Sequence, residues 1–180
     1  MTELALPAGS LQAALVAFNE GADAVYLGMR NFSARKEATN FSLEDLAKLK
    51  QLANEQKKKI YVTVNTLVDD DQLGEIIRTL KQISFIGCDG IIVQDLGVAR
   101  IIKDQFPSLE LHGSTQLAVH TIEGVKELQR MGFTRAVLAR ELTLQEIQTI
   151  REACPDIELK VFIHGAQCYG FSGLCMASEQ

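Results

Sequence analysis

No apolar run in this chain of 180 residues approaches the roughly 18 that a membrane-spanning helix needs. No charged segment followed by an apolar core opens it either. A helical membrane protein is excluded, no membrane partner is expected, and the expected location is cytoplasmic. The self-contained catalytic signatures are missing too: there is no HExxH helix, no Walker loop, no GxGxxG after a strand and no GxSxG. No lysine closes a strand where a Schiff base could form, because Lys160 opens its strand instead. Cysteine is sparse, at four residues, and without a secretory leader these read as thiols or metal ligands rather than disulfides. Basic residues number 18 against 23 acidic ones, for a net charge of −5. That balance speaks against non-specific nucleic-acid binding, and no extended basic patch is evident.

What is present is a strict alternation of short apolar runs and amphipathic segments. Strands are expected at Glu3–Leu6, Ala24–Leu27, Ile60–Val64, Ile91–Val93, Leu109–Leu111, Ala136–Ala139 and Leu159–Ile163. Helices fall between them, opened by Ser10, by Ser42 with Asp45, by Asp70 or Asp71, near Val98, at Thr121, and by Thr143 with Glu146. Gly21, Gly87 and Gly132 are placed to close three of the helices. Three helix-to-strand junctions look alike, EGADAVYLG at Glu20, IGCDGIIVQ at Ile86 and MGFTRAVLA at Met131. Alternation with short connections is the signature of a parallel α/β sheet with right-handed crossovers. It predicts a (β/α)8 TIM-barrel-like fold rather than a doubly wound sheet. A whole barrel takes about 250 residues, so the expected barrel is incomplete, with about seven strands and the eighth unit missing. Residues 1–180 are accordingly read as a single N-terminal barrel-like domain, a fragment of a longer protein.

In such barrels functional groups gather at the C-terminal ends of the strands. Those ends carry Ser10, Tyr26, Asn65, Thr66, Gln94, Asp95, His112, Ser114, Gln116, Arg140, Glu141 and His164, a mixture of amides, carboxylates and a guanidinium suited to a polar ligand. Tyr26, Asn65, Gln94, Ser114 and Gln116 are expected to bind substrate. Asp95, His112, Arg140, Glu141 and His164 are the candidate catalytic residues. Asp95 reads as a lone carboxylate for general-base work. Arg140–Glu141 reads as an anion or amide binder, or as an internal ion pair. His112 reads equally as a catalytic or a satisfied structural histidine. Cys88 and Cys154 flank helix ends and read as structural. His164, Cys168 and Cys175 are spaced H-x3-C-x6-C, and two thiols with a histidine suit a soft metal or part of an iron–sulfur site. Zinc held by these three and one further ligand is geometrically allowed but ranks behind a cluster, which needs further cysteines.

The final stretch resembles the peptidase U32 signature, E-x-F-x-x-G followed by C-x4-G-x-C-x-x-S. Phe162, Gly165, Cys168, Gly173, Cys175 and Ser178 match it. Lys160 stands where the family has glutamate, and Ala177 where it has a larger aliphatic. LALPAGS, GADAVYLG, FSAR, NFSLEDL, VTVNTL, VQDLG, STQ and LARELTL also resemble family segments, in family order. The resemblance implies a TIM-barrel-like region and a collagenase-like peptidase that hydrolyses peptide bonds. It implies as an alternative a [4Fe–4S] protein supporting hydroxylation of tRNA or rRNA bases or of a quinone precursor, with Cys168 and Cys175 as two cluster ligands. A thiol protease would pair Cys168 with His112 or His164 as base. A non-catalytic binding or regulatory barrel is the third reading. The partners expected are a peptide or an RNA base.

Overall fold

The computed structural model describes residues 2–29, 40–165, 168 and 170–174. Cys175 and Ser178 of the signature lie outside them. The chain forms two compact units, Met1–Glu110 and Leu111–Gln180.

The first unit alternates β1 (Ala5–Ala8), α1 (Leu11–Asn19), β2 (Ala24–Gly28), α2 (Leu43–Glu55), β3 (Lys59–Val64), α3 (Leu73–Ile86), β4 (Gly90–Val93) and α4 (Leu96–Gln105). Strands β1 to β4 pair in chain order and in parallel, with Leu6 opposite Val25, Val25 opposite Ile60 and Val62 opposite Ile91. Helices cover parallel strands on their faces, so these strands are apolar almost throughout. Ala24, Val25, Ile60, Tyr61, Val62, Ile91 and Val93 are all fully buried. Each large aliphatic so buried contributes roughly 1.5–3 kcal/mol.

The second unit continues with β5 (Glu110–Gly113), α5 (Ile122–Met131), β6 (Arg135–Val137), α6 (Leu144–Ala153) and β7 (Glu158–Lys160). Here His112 pairs with Arg135, and Ala136 with Leu159, again in parallel. The described residues thus hold seven strands alternating with six α-helices, the α/β class expected.

Local chemistry sets the element ends. Ser10, Ser42, Thr121 and Thr143 each accept a backbone N–H of the helix they open. Ser42 with Asp45 and Thr143 with Glu146 complete reciprocal capping boxes. Gly87 and Gly132 close α3 and α5 in the left-handed region, at φ of 83° and 98°.

The three similar junctions do one physical job. Asp23 Oδ2 accepts the Leu4 N–H at 2.9 Å, and Asp89 Oδ2 accepts the Ile60 N–H at 2.9 Å. Each carboxylate thereby ties its own strand's start to the preceding strand. Asp89 also takes the ammonium of Lys50 at 2.8 Å. In the third junction Thr134 stands in this place and donates from Oγ1 to the Leu111 carbonyl at 3.4 Å.

Two boundaries differ from expectation. β1 begins at Ala5 because Leu4 is taken up by Asp23. β7 ends at Lys160, so the lysine expected to open this strand closes it, and Val161, Phe162 and Ile163, expected to extend it, are non-strand and exposed. Strand β6 stops at Val137. The Leu138 N–H still donates to the Lys160 carbonyl, but the Ala139 N–H donates to the Val119 carbonyl instead, so no ladder remains for residues 161–163.

Candidate functional site

The C-terminal end of β6 delivers Arg140 and Glu141 to the cysteine-bearing segment. The Arg140 backbone N–H and its Nε both donate to Ser172 Oγ, at 3.2 and 3.3 Å. Nη2 donates to the Gly170 carbonyl at 2.8 Å. The Ser172 N–H in turn donates to Glu141 Oε1 at 2.8 Å. Ser172 is buried to 2% exposure, although Arg140 and Glu141 are themselves on the surface. Burial raises the Glu141 carboxyl, but the hydrogen bonds from Ser172 and the Arg140 charge outweigh it and leave the group below its ordinary value. Each such bond is worth about 0.5–1.5 kcal/mol net.

A second anchor lies after β5. Gly173 sits at φ 77° with its Cα against the Gln116 backbone, where a Cβ would fall far inside the contact distance of the carbonyl oxygen. Only glycine fits there, on two independent grounds. The segment is thus held by β6 on one side and by the turn after β5 on the other.

Cys168 is exposed, and its thiol donates to the Gly170 carbonyl at 3.9 Å. The same carbonyl accepts from Arg140 Nη2. A hydrogen bond from Arg140, then one involving Gly170, hold the Cys168 thiol below its ordinary value, against small opposing effects of burial and Glu141. By contrast, burial pushes the Cys88 thiol up to about 12, with Lys50 and Asp89 acting as smaller, opposing influences. Cys154 is buried, with its thiol toward the Ile122 carbonyl.

The other expected residues fall in different places. In the first unit, Asn65 follows β3 and Gln94 follows β4, both half-buried. Val64 pairs with Val93, so these two amides stand side by side at adjacent strand ends. Tyr26 does not end a strand as expected. It lies inside β2, opposite Pro7 and Tyr61, and packs against the buried Ala24–Tyr61–Ile92 cluster. Asp95, expected as a general base, is the N-cap of α4, its Oδ1 accepting the Val98 N–H at 2.9 Å.

In the second unit, His112 lies within β5 at 1% exposure, buried rather than open at the strand end. Ser114 is buried at 2%, and its Oγ accepts the Gln116 N–H at 3.2 Å in the turn after β5. Gln116 itself is half-buried beside Gly173. His164 is exposed and lies four residues past the end of β7 rather than on it. Sequence reasoning missed Ser172. Its neighbour Gly173 belongs to the recognised pattern, but nothing local marks a serine as the acceptor for an arginine 32 residues away.

For a metal or cluster, the described residues offer one exposed soft donor, Cys168, already biased toward its thiolate. Thiolate is the form that binds soft metals. Among the described residues no three His, Cys, Asp or Glu side chains gather into a ligand set. Cys168 is thus the one described residue whose exposure and chemistry fit a soft-metal ligand.

The family model "Peptidase family U32" matches residues 9–180. Over 98% of its length the chain is 43% identical to a 23S rRNA 5-hydroxycytidine synthase of Escherichia coli, covering 26% of that protein. Over the same share it is 40% identical to tRNA hydroxylation protein P of the same organism, covering 39% of it. It is 30% identical to a collagenase of Porphyromonas gingivalis, again over 98% of the chain and 44% of the relative. The chain thus spans between about a quarter and under half of these curated relatives. Among solved structures, the U32 peptidase Mk0906 superposes with a TM-score of 0.74 at 16% identity, over 89% of this chain and 68% of that one. The 2,3-dimethylmalate lyase superposes at 0.63 and 12% identity, over 96% and 71%. These likenesses place the fold among TIM-barrel-like α/β proteins. The chain belongs to peptidase family U32.

Proposed function

We propose that this chain is part of a protein that hydroxylates bases of structured RNA, rather than a peptidase. The observation that carries the reading is the environment of the Cys168 sulfur. Among the described residues the sulfur meets the Gly170 carbonyl, which the Arg140 guanidinium also reaches, and no imidazole bonds to it. A thiol protease needs a neighbouring base to accept its proton. Its two expected bases are a buried strand residue, His112, and an exposed His164. A sulfur beside a fixed cation, with no base to take its proton, suits a metal ligand better than a protease nucleophile. The relatives at 43% and 40% identity carry names of RNA hydroxylation, which supports the same reading.

On this reading Cys168 and Cys175 contribute two of the four thiolates of a [4Fe–4S] cluster, and zinc is the less favoured occupant. When bound, such a cluster supplies electron transfer. The substrate is a base of tRNA or rRNA, and this chain's own part is to hold Cys168 against Arg140. Peptide hydrolysis is the second reading, favoured by the collagenase relative.

The test uses full-length protein purified anaerobically, together with cells lacking it. Iron and sulfide in the protein, loss of that iron in Cys168→Ala, and loss of one hydroxylated nucleoside from the cells' RNA are expected. Metal-free protein whose peptide cleavage disappears in Cys168→Ala would overturn the proposal and establish the peptidase.

A further inference from the structure

Arg140 and Glu141 sit where a barrel enzyme places groups that touch substrate, yet among the described residues the hydrogen bonds their side chains make to other residues run to the cysteine-bearing segment. We propose that Arg140 and Glu141 are positioning residues: they dock the chain around Cys168, Gly170 and Ser172 onto the end of β6 and keep a guanidinium beside the Cys168 sulfur.

The geometry divides the work. Glu141 accepts the Ser172 N–H, which fixes the backbone. Arg140 spans two points of the segment, Ser172 Oγ and the Gly170 carbonyl. Because the Cys168 thiol points at that same carbonyl, the sulfur and the guanidinium converge on one oxygen. Gly173 against Gln116 sets the segment's far end without using a side chain. A planar, permanently charged fork satisfies two acceptors at fixed spacing, which an ammonium on a flexible stem does not do equally well. Groups that hydrogen-bond or orient a ligand in this manner tune what it binds. The inference goes beyond the hydroxylation reading and does not depend on it, since a fixed cation beside the sulfur acts on any thiolate chemistry.

The test compares two disulfide reagents that react with the thiol by the same exchange, anionic dithiobis(nitrobenzoate) and neutral dithiodipyridine. Modification of Cys168 is resolved by peptide mass, because the chain has four cysteines. The ratio of the two rates cancels the fraction of thiol ionised and reports the local charge. In Arg140→Met the anionic-to-neutral ratio is expected to fall about fourfold, as one unit charge a few ångström away gives at the dielectric of water. In Arg140→Lys it stays within about twofold of the parent, because the charge remains. An unchanged ratio in Arg140→Met overturns the guanidinium's role.

Glu141 is tested separately by hydrogen exchange. Glu141→Ala is expected to speed exchange in the peptide containing Ser172 while α5 and α6 stay protected, and Glu141→Gln, which keeps an acceptor oxygen, to restore protection. Unchanged exchange in Glu141→Ala overturns the docking role. If Arg140→Met fails to fold, Arg140→Gln replaces it, since it keeps a polar side chain and removes the charge. The ratio is then expected to fall, and an unchanged ratio overturns the proposal.

Discussion

The two ends of the strands are built differently. At the starts, the same device recurs: an aspartate two residues past a glycine at a helix end accepts a backbone N–H near the start of the preceding strand, Leu4 for Asp23 and Ile60 for Asp89. Its partners are backbone groups of the sheet and, at Asp89, one nearly buried lysine of α2. At the ends the groups do different things, although Ser10 after β1 and Asp95 after β4 each cap the helix that follows. Asp95 caps a helix, Ser114 caps a turn, and Arg140 with Glu141 reaches a segment about 30 residues downstream. Repetition marks groups that solve a problem every unit has, joining one strand to the next. Individuality marks groups serving one segment, here the one with the exposed thiol. In parallel barrels the strand starts carry stability and the ends carry function.

Breaking the strand-start device gives the largest expected loss. Lys50 is 11% exposed in its side chain and Asp89 28%, so Asp89→Ala strands a nearly buried ammonium and leaves the Ile60 N–H unmatched. The expected cost is about 2–4 kcal/mol, toward the lower side of a broken buried pair because Asp89 keeps some water. Urea unfolding should show a lower midpoint at unchanged slope. The anionic-to-neutral reagent ratio at Cys168 should not move. A movement there would mean that the two ends are not separable.

Gly173→Ala attacks the other end. The new Cβ meets the Gln116 carbonyl at a φ that favours glycine, so the segment must lift from its seat. The expected cost is about 1–3 kcal/mol, and it should appear as faster exchange confined to the Ser172 region. Asp95→Ala is smaller, at about 1 kcal/mol for a lost cap, while Asp95→Asn should retain nearly all of it. Equal losses in the two variants, read by thermal unfolding, would mean that Asp95 contributes through its charge and not through the cap. Thiol labelling sharpens the contrast further. Cys168 should modify first in the native protein, and Cys88, buried with its thiol pushed up to about 12, only on unfolding.

What could be read in the sequence was what is local. Ser10, Ser42 and Thr143 cap helices within three residues, so their patterns predicted them correctly. The same local logic applies to Asp95, which is followed by the helix it caps. The run Val161–Ile163 looked like strand because apolar residues signal burial, but a strand also needs a partner, and β6 turns away first. Arg140 and Glu141 were placed correctly and their partner was not seen, because the contact to Ser172 spans 31 or 32 residues and leaves no periodic trace. The fold was legible through repetition, and the site was not, because its geometry occurs once.

The smallest expected effect is a matter of pH and separates the clamp from the scaffold without a large perturbation. The Glu141 carboxyl lies below its ordinary value in the folded chain, so its ionised form binds the fold more tightly than its protonated form does. Its contribution is therefore present above the ordinary carboxylate range, at about pH 4, and is lost as pH falls through the lowered value. The unfolded state then takes up the proton more readily. Glu141→Gln has no such proton to bind. The stability gap between wild type and Glu141→Gln should be widest near neutral pH and narrow on acidification, by a small amount because the group is exposed and screened. Glu146, lowered by the Thr143 cap that opens α6, titrates in the same direction, so the comparison is made in a Glu146→Gln background to isolate the clamp. A gap that stays constant from neutral to acid would mean that Glu141 holds Ser172 through shape and not through charge. The docking of the cysteine-bearing segment would then rest on Arg140 and Gly173 alone.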